Sequence, residues 1–458
     1  MKIDVMKVKA PILDHSGIPV MLTDETIEER KQKVRQLMKD FGYSSLIIYA
    51  DKEHGSNFEY LVGFIPRFEE ALLVFNADGS AHLILGNENS NKVSYSRIKA
   101  EGQKCSLFSL PNQPMGDSSE LTECLKKVSL DKSEKVGLVG WKLMPDTLGK
   151  SFDLPYFVLE AVRSIVTDDK LHNATGLFIG PVDGARTTNN ANEIAHYEFG
   201  ASLASDGVLE SMNKLQVGVV ETEIGNYLNR AGQYNNVVTI SAFGPRFVKG
   251  NLYPTDNKLE KGEKVALTVG YRGGLSSRSG YAVSNRDELE AVDKNYFDEV
   301  VKPYFSAYHF WLQNIEIGKN GGDFYQEFEK FYPQATYGWE LCPGHLTADE
   351  EWLSSPFYAG SKATIQSGMI FQVDFIPSQE GHNGISAEST VALADEQLRK
   401  EIASNYPKLW KRIEARRNYL AEELNIQLDA SVLPLASTLG YYRPFLLNKD
   451  FALGIKEN

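Results

Sequence analysis

With 458 residues the chain exceeds what one hydrophobic core ordinarily fills, about 250 to 300 residues, so two domains are expected. A composition of 42% hydrophobic and 24% charged residues excludes a largely disordered chain. The excess of 61 acidic over 48 basic residues, a formal charge of -13, excludes a general attraction to nucleic acid or anionic membrane.

In chain order, Lys7, Lys9, Asp4 and Asp14 interrupt the first 17 residues, which therefore lack the apolar core of a secretory signal. No later stretch reaches the roughly 18 consecutive apolar residues of a membrane span. Cys105, Cys124 and Cys342 match neither a zinc motif nor a disulfide framework, so a soluble cytoplasmic protein is expected. A helix is predicted from Thr26, with Glu29 as capping-box partner, Val34, Leu37, Met38 and Phe41 on one face, and Gly42 as its stop. Ser45 to Ala50 reads as a strand, and Ala71 to Phe75 and Ala81 to Leu85 as a hairpin turned at Asn76 to Gly79.

Strand and helix signals alternate to about residue 180, where Gly180, Pro181, Gly184 and Thr187 to Asn192 form a turn-rich stretch. The boundary is placed there, giving domains of residues 1–180 and 181–458. Asn190 with Glu193 predicts the cap of a helix carrying Ile194, Tyr197, Ala201, Ala204 and Val208 on one face. Further helices are expected from Thr222 and from Arg286, the latter ended or kinked by Pro303. Strands follow at Val265 to Tyr271, Met369 to Ile376 and Ile385 to Leu393. Alternation puts Phe371, Val373 and Phe375 on one face with Gln372 and Asp374 on the other, and groups Ser386, Glu388 and Thr390. Asp374 and Glu388 are therefore expected side by side.

These landmarks taken together carry a resemblance. Pro343-Gly344-His345, Pro356, Ser367-Gly368-Met369 running to Asp374, and Ile385 to Glu388 resemble the pita-bread superfamily of methionine aminopeptidase, aminopeptidase P, prolidase and creatinase. The Glu28-Glu29-Arg30 helix, Tyr60 to Phe64 and the Asp78-Gly79 hairpin resemble the creatinase-type amino-terminal domain. The resemblance covers roughly residues 25 to 395. It implies an α/β (α+β) protein, with a creatinase-like amino-terminal domain and a pita-bread domain built on a curved, mainly antiparallel sheet covered by helices.

Active metallopeptidases of this superfamily hold two ions with two Asp, one His and two Glu. By resemblance His345 matches the His, Asp374 the first Glu with a shorter side chain, and Glu388 the second. The two Asp are expected near residues 265–281, as an Asp-x-Gly and another Asp eleven residues on. That stretch reads Thr268-Val269-Gly270 and Ser276-Ser277-Arg278-Ser279-Gly280, with no acid between Lys264 and Asn285. A two-metal centre is therefore not expected. Either no cofactor is present, or His345, Asp374 and Glu388 hold a single divalent ion.

Arg278 brings a fixed positive charge that would oppose a dication and neutralise the two carboxylates. Asp256 and Asp287 are the acids left to fold back as replacements. Creatinase works without metal, but its catalytic His has no counterpart in Gly250 to Asp256. What survives is a pocket with His345 as general acid or base, Glu388 as its partner and Asp374 as orienter. Arg278, Glu351 and Arg67 are the substrate-binding candidates. Asp349-Glu350-Glu351 also reads as a solvated loop, Arg67 as a surface arginine, and His345 as an ordinary turn histidine. His54, His82, His196, His309 and His382 read as structural.

The resemblance implies a hydrolase, likened to the Xaa-Pro aminopeptidases and creatinase, that cleaves a C–N bond of a small amino-acid-like or short peptide substrate and works as a homodimer. The alternatives are a catalytically inactive binding module and, third, an intact proline-specific metallo-aminopeptidase.

Overall fold

The computed structural model describes residues 2–128, 130–145, 148, 150–245 and 253–456. They fall into two compact units, Leu22–Thr187, and Thr188–Asn458 together with Met1–Met21.

The first unit opens with the helix Asp24–Phe41. Its cap is Thr23, whose side chain accepts from the Thr26 amide at 3.2 Å, and not Thr26 as the capping-box pattern suggested. Thr23 is extended and so can turn its oxygen back on the first turn, whereas Thr26 already lies inside that turn. Gly42 closes the helix in the left-handed region, at φ 71°. Val34 and Met38 face the core, while Phe41 stands outside the buried stripe.

A six-stranded sheet follows, in the order Glu101–Lys104, Ala81–Leu85, Ala71–Asn76, Ser45–Ala50, Val136–Val139, Leu171–Asn173. The central strand Ser45–Ala50 is buried throughout, which accounts for its unbroken apolar run. Its parallel partner Val136–Val139 and the helices Glu120–Lys127 and Tyr156–Arg163 close a core around Ile47, Leu72, Leu125, Leu138 and Val162.

The second unit is built on antiparallel sheets. One orders Gly274–Tyr281, Lys264–Tyr271 and Ile240–Phe243; the other orders His345–Leu346, Ile370–Gln372, Thr390–Leu393 and Val432–Pro434. A bridge between Ser279 and Ser386 joins the two sheets. Lys2–Lys7 pairs with Phe451–Lys456, so both ends of the chain belong to this unit.

The helix Ala191–Lys214 packs on the strands Lys264–Tyr271 and Gly274–Tyr281. It begins with a full capping box: Asn190 Oδ1 accepts from Glu193 N at 3.0 Å, and Glu193 Oε2 accepts from Asn190 N at 2.9 Å. Asn190→Ala should lower the unfolding free energy by about 1 kcal/mol, read from urea denaturation.

The helix expected from Arg286 is broken. Arg286–Val292 ends at Asp293, and a π-helical turn at Phe297–Val301 runs without a break into Lys302–Asn314, so Pro303 sits at the π-to-α junction. Of the two expected effects, ending the helix is not seen: the segment continues past Pro303, and the irregular π turn falls just before the residue whose missing N–H interrupts the regular ladder. Tyr304, Tyr308 and Trp311 from this helix pack against Phe371 and Phe375, which makes the apolar layer behind the site. No helix among the described residues is long and apolar enough to cross a membrane.

Candidate active site

The short strand His345–Leu346 pairs His345 with Gln372 and Leu346 with Phe371. Gly344, at φ 105°, makes that approach possible, because a Cβ there would lie 2.9 Å from Gln372 O and 3.1 Å from Trp311 Nε1. The buried Trp311 indole donates to Pro343 O at 2.7 Å and fixes the turn. His345 is fully buried, with Nδ1 3.1 Å from Leu346 O. A carbonyl only accepts, so Nδ1 carries a proton and Nε2 is the nitrogen offered to the pocket.

Around Nε2 lie three carboxylates: Glu351 Oε1 at 2.9 Å, Asp374 Oδ2 at 3.8 Å and Glu388 Oε1 at 4.0 Å. The Glu351 contact is off the N–H axis, so it is an ion pair without an aligned hydrogen bond. Asp374 Oδ1 is buried and also has no hydrogen-bond partner. Glu388 Oε1 accepts from Gln372 Nε2 at 3.0 Å, and the same amide nitrogen donates to Leu275 O at 2.9 Å. Thr390 Oγ1 donates to Gln372 Oε1, which orients the amide. Gln372 shares a face with Asp374, as the alternation implied; its role in aiming Glu388 had not been singled out.

Burial opposes the charge on His345, but the Glu351 carboxylate, followed by Asp374, outweighs it and holds the imidazole pKa above its ordinary value. Burial pushes Asp374 up to about 6, against the pull of His345 and with a further push from Glu351. Glu388 is driven well above the carboxylate range, first by burial and then by the charges of Asp374 and Glu351. Asp374 and Glu388, buried beside one imidazole, therefore share protons rather than ionise together.

Glu351 arrives on a closed loop. Leu346 N donates to Ser354 O at 2.7 Å and Leu353 N to Leu346 O at 2.9 Å, which ties the loop's two ends together. Gly273 N donates to Ala348 O at 2.6 Å, and Tyr197 OH to Asp349 Oδ2 at 3.1 Å. Trp352 stacks its ring on His345, 4.0 Å between centroids and 19° between planes. The acidic run is thus no solvated loop at Glu351. Asp256 and Asp287, the acids thought available to fold back, are exposed.

Where bridging carboxylates were sought, Thr268 faces Ser277 across the hairpin, and their hydroxyls bond at 2.9 Å. Ser277 N donates to Glu388 O and Ser279 N to Ser386 O, so this hydroxyl pair lies on the face that carries Glu388. Arg278 pairs with Leu267 and points to the other face. It donates to the carbonyls of Tyr441, Ser277, Glu388 and Thr438 and to Ser389 Oγ. None of its bonds goes to a carboxylate, and the reason is geometric: alternation turns residue 278 away from 277. Arg67 belongs to the first unit, where it is exposed and lies over the Phe68 ring. Gly250 to Leu252, part of the segment read for a creatinase-type histidine, lie outside the described residues.

No protein-family model matches the sequence, and no curated protein sequence matches it. Solved structures do. An Xaa-Pro dipeptidase from Bacillus anthracis superposes with a TM-score of 0.61 at 16% identity, covering 81% of this chain and 96% of that one. An X-Pro aminopeptidase from Thermotoga maritima MSB8 gives 0.60 at 17% identity over 80% and 95%. This chain has the pita-bread fold. The same fold matches the N-terminal domain of the FACT complex subunit SPT16 from Cicer arietinum, with a TM-score of 0.56 at 13% identity over 82% and 95%.

Within the pita-bread unit, His345, Asp374 and Glu388 offer ligand atoms that lie within 4.8 Å of one another, a possible metal-binding triad. One nitrogen and two carboxylates fit a single divalent ion with open positions. A second ion would face the neutral Thr268 and Ser277 hydroxyls, which supply no bridging charge.

Proposed function

We propose that this chain is a hydrolase acting on a C–N bond of a small amino-acid-like or short peptide substrate, without a two-metal centre. The observation that carries the reading is the convergence of Glu351, Asp374 and Glu388 on His345 Nε2, opposite a hydroxyl pair where bridging carboxylates would be needed. The similar structures named Xaa-Pro dipeptidase and X-Pro aminopeptidase supply the reaction class.

His345 moves the proton at Nε2. Glu351, its side chain 19% exposed, is the carboxylate nearest to that nitrogen and to solvent, while Glu388 and Asp374 orient the substrate. An ion bound by His345, Asp374 and Glu388 would polarise the scissile carbonyl. The working protein is taken to be a cytoplasmic homodimer.

Two measurements test the reading. Elemental analysis should find at most one equivalent of Mn, Co or Zn per chain; two equivalents would overturn it. In a panel of amides and amidines, His345→Ala should lower turnover by about 10²- to 10⁴-fold. Undiminished turnover would remove His345 from the chemistry.

A binding module is the second reading, and two observations favour it. A FACT complex subunit shares the fold, and Glu351 with Trp352 already occupies the nitrogen and one face of His345. Absence of turnover across the panel, with retained binding of short peptides in calorimetry, would decide for it.

A further inference from the structure

The segment 376–384 connects the stretch that carries Asp374 to the stretch that carries Ser386 and Glu388. It is held at two places. Ser378 N donates to Tyr337 O at 3.0 Å, and Gly338, at φ 67°, lets the Ser378 carbonyl approach to where a Cβ would be only 2.1 Å away.

At the other end the His382 ring lies between two acids, with Nδ1 2.6 Å from Asp293 Oδ1 and Nε2 3.2 Å from Glu299 Oε2. The other oxygen of the buried Asp293 accepts from Tyr281 OH at 2.6 Å and from Asn383 N at 3.3 Å. Tyr296 OH and Ser279 Oγ both donate to Gly384 O at 3.4 Å, and the Tyr296 ring lies 6.1 Å from the imidazole. The groups facing His382 are thus Asp293 and Glu299, with the phenols of Tyr281 and Tyr296 behind them.

A neutral imidazole has one N–H and can donate to one carboxylate; only the imidazolium donates to both. We infer that His382 is a proton-controlled clamp on the connector 376–384, closed when the ring bridges Asp293 and Glu299 and loosened when it loses its proton, and that it positions the two stretches that carry Asp374 and Glu388. The inference concerns the same site as the proposed hydrolysis but needs no turnover to be tested.

The direction follows from the partners. Burial disfavours the charged ring, yet Asp293 and Glu299 outweigh it and raise the pKa above the ordinary 6.5. A raised imidazole pKa means a clamp fully present below the unfolded value and lost as pH rises through the folded one.

Hydrogen exchange read by mass spectrometry over residues 373–389 of the full chain tests this, with exchange times scaled for the intrinsic pH dependence. Wild-type protection should fall about tenfold between pH 6 and pH 9. His382→Gln should give the low value at both pH values. Glu299→Gln, altered at a half-exposed side chain, should fold normally and move the midpoint of the wild-type transition to lower pH. Protection that is the same at both pH values in wild type, or an unmoved midpoint in Glu299→Gln, would overturn the clamp.

Discussion

Arg278→Met should lower the unfolding free energy of the pita-bread unit by about 3–5 kcal/mol, because the guanidinium has no substitute as a donor. Its five hydrogen bonds reach Ser277 on its own strand, Glu388 and Ser389 just before the strand Thr390–Leu393, and Thr438 and Tyr441 in the tail. Methionine fills similar volume, so the loss is dominated by carbonyls left buried without donors. Each such group costs about 1–3 kcal/mol, and relaxation makes the total smaller than the sum.

Arg278→Lys should recover part of the loss, since three donors on one nitrogen cannot span the fork. Urea denaturation of the three proteins checks both values. A substrate-binding arginine would behave in the opposite way, with stability near wild type and the change confined to KM. Near-equal stabilities would therefore return Arg278 to the pocket.

The expectation that Arg278 neutralises the acids shows where sequence reading stops. The residue type and the neighbourhood were legible: position 278 does lie beside the stretch that carries Glu388. Its face was not, because only the observed register, Arg278 opposite Leu267 and Ser277 opposite Thr268, settles it. One residue of register decides which side chains share a sheet face.

Elements with a period or a cap of their own were legible. Ser45–Ala50 and the 71–85 hairpin follow from apolar runs around a turn, and the helix at Ala191 from a capping box. Alternation in 371–375 also put Asp374 beside Glu388, as the triad requires. What escaped depends on long-range partners. Lys2–Lys7 finds Phe451–Lys456 at the far end of the chain, and Glu351 meets His345 only because Leu346 and Ser354 close a loop. His382 read as structural because Asp293 and Glu299 lie 89 and 83 positions away.

Asp374→Asn should raise stability at pH 8 by about 3 kcal/mol and leave it nearly unchanged below pH 4. The sign follows from proton binding. With a folded pKa of about 6 against the ordinary 3.8, the folded state holds the extra proton between those values, so stability falls as pH rises through that window. At 1.36 kcal/mol per pH unit the loss is about 3 kcal/mol, and it persists above pH 6. Asparagine keeps the shape and removes the ionisation, so its stability curve should be flat there.

Removing the charge also relieves Glu388, whose pKa Asp374 helps to raise. Glu351 supplies the strongest attraction for protonated His345, so the imidazole keeps its main partner in the variant. A bound divalent ion reverses the prediction, because Asp374 would then be a ligand and asparagine a loss. Thermal unfolding at pH 4 and pH 8, with chelator and with Mn or Zn, separates the two. Stabilisation by asparagine in chelator and destabilisation in metal would assign one ion to the triad. Destabilisation at pH 8 in chelator would mean that the buried carboxylate is held by a partner other than His345.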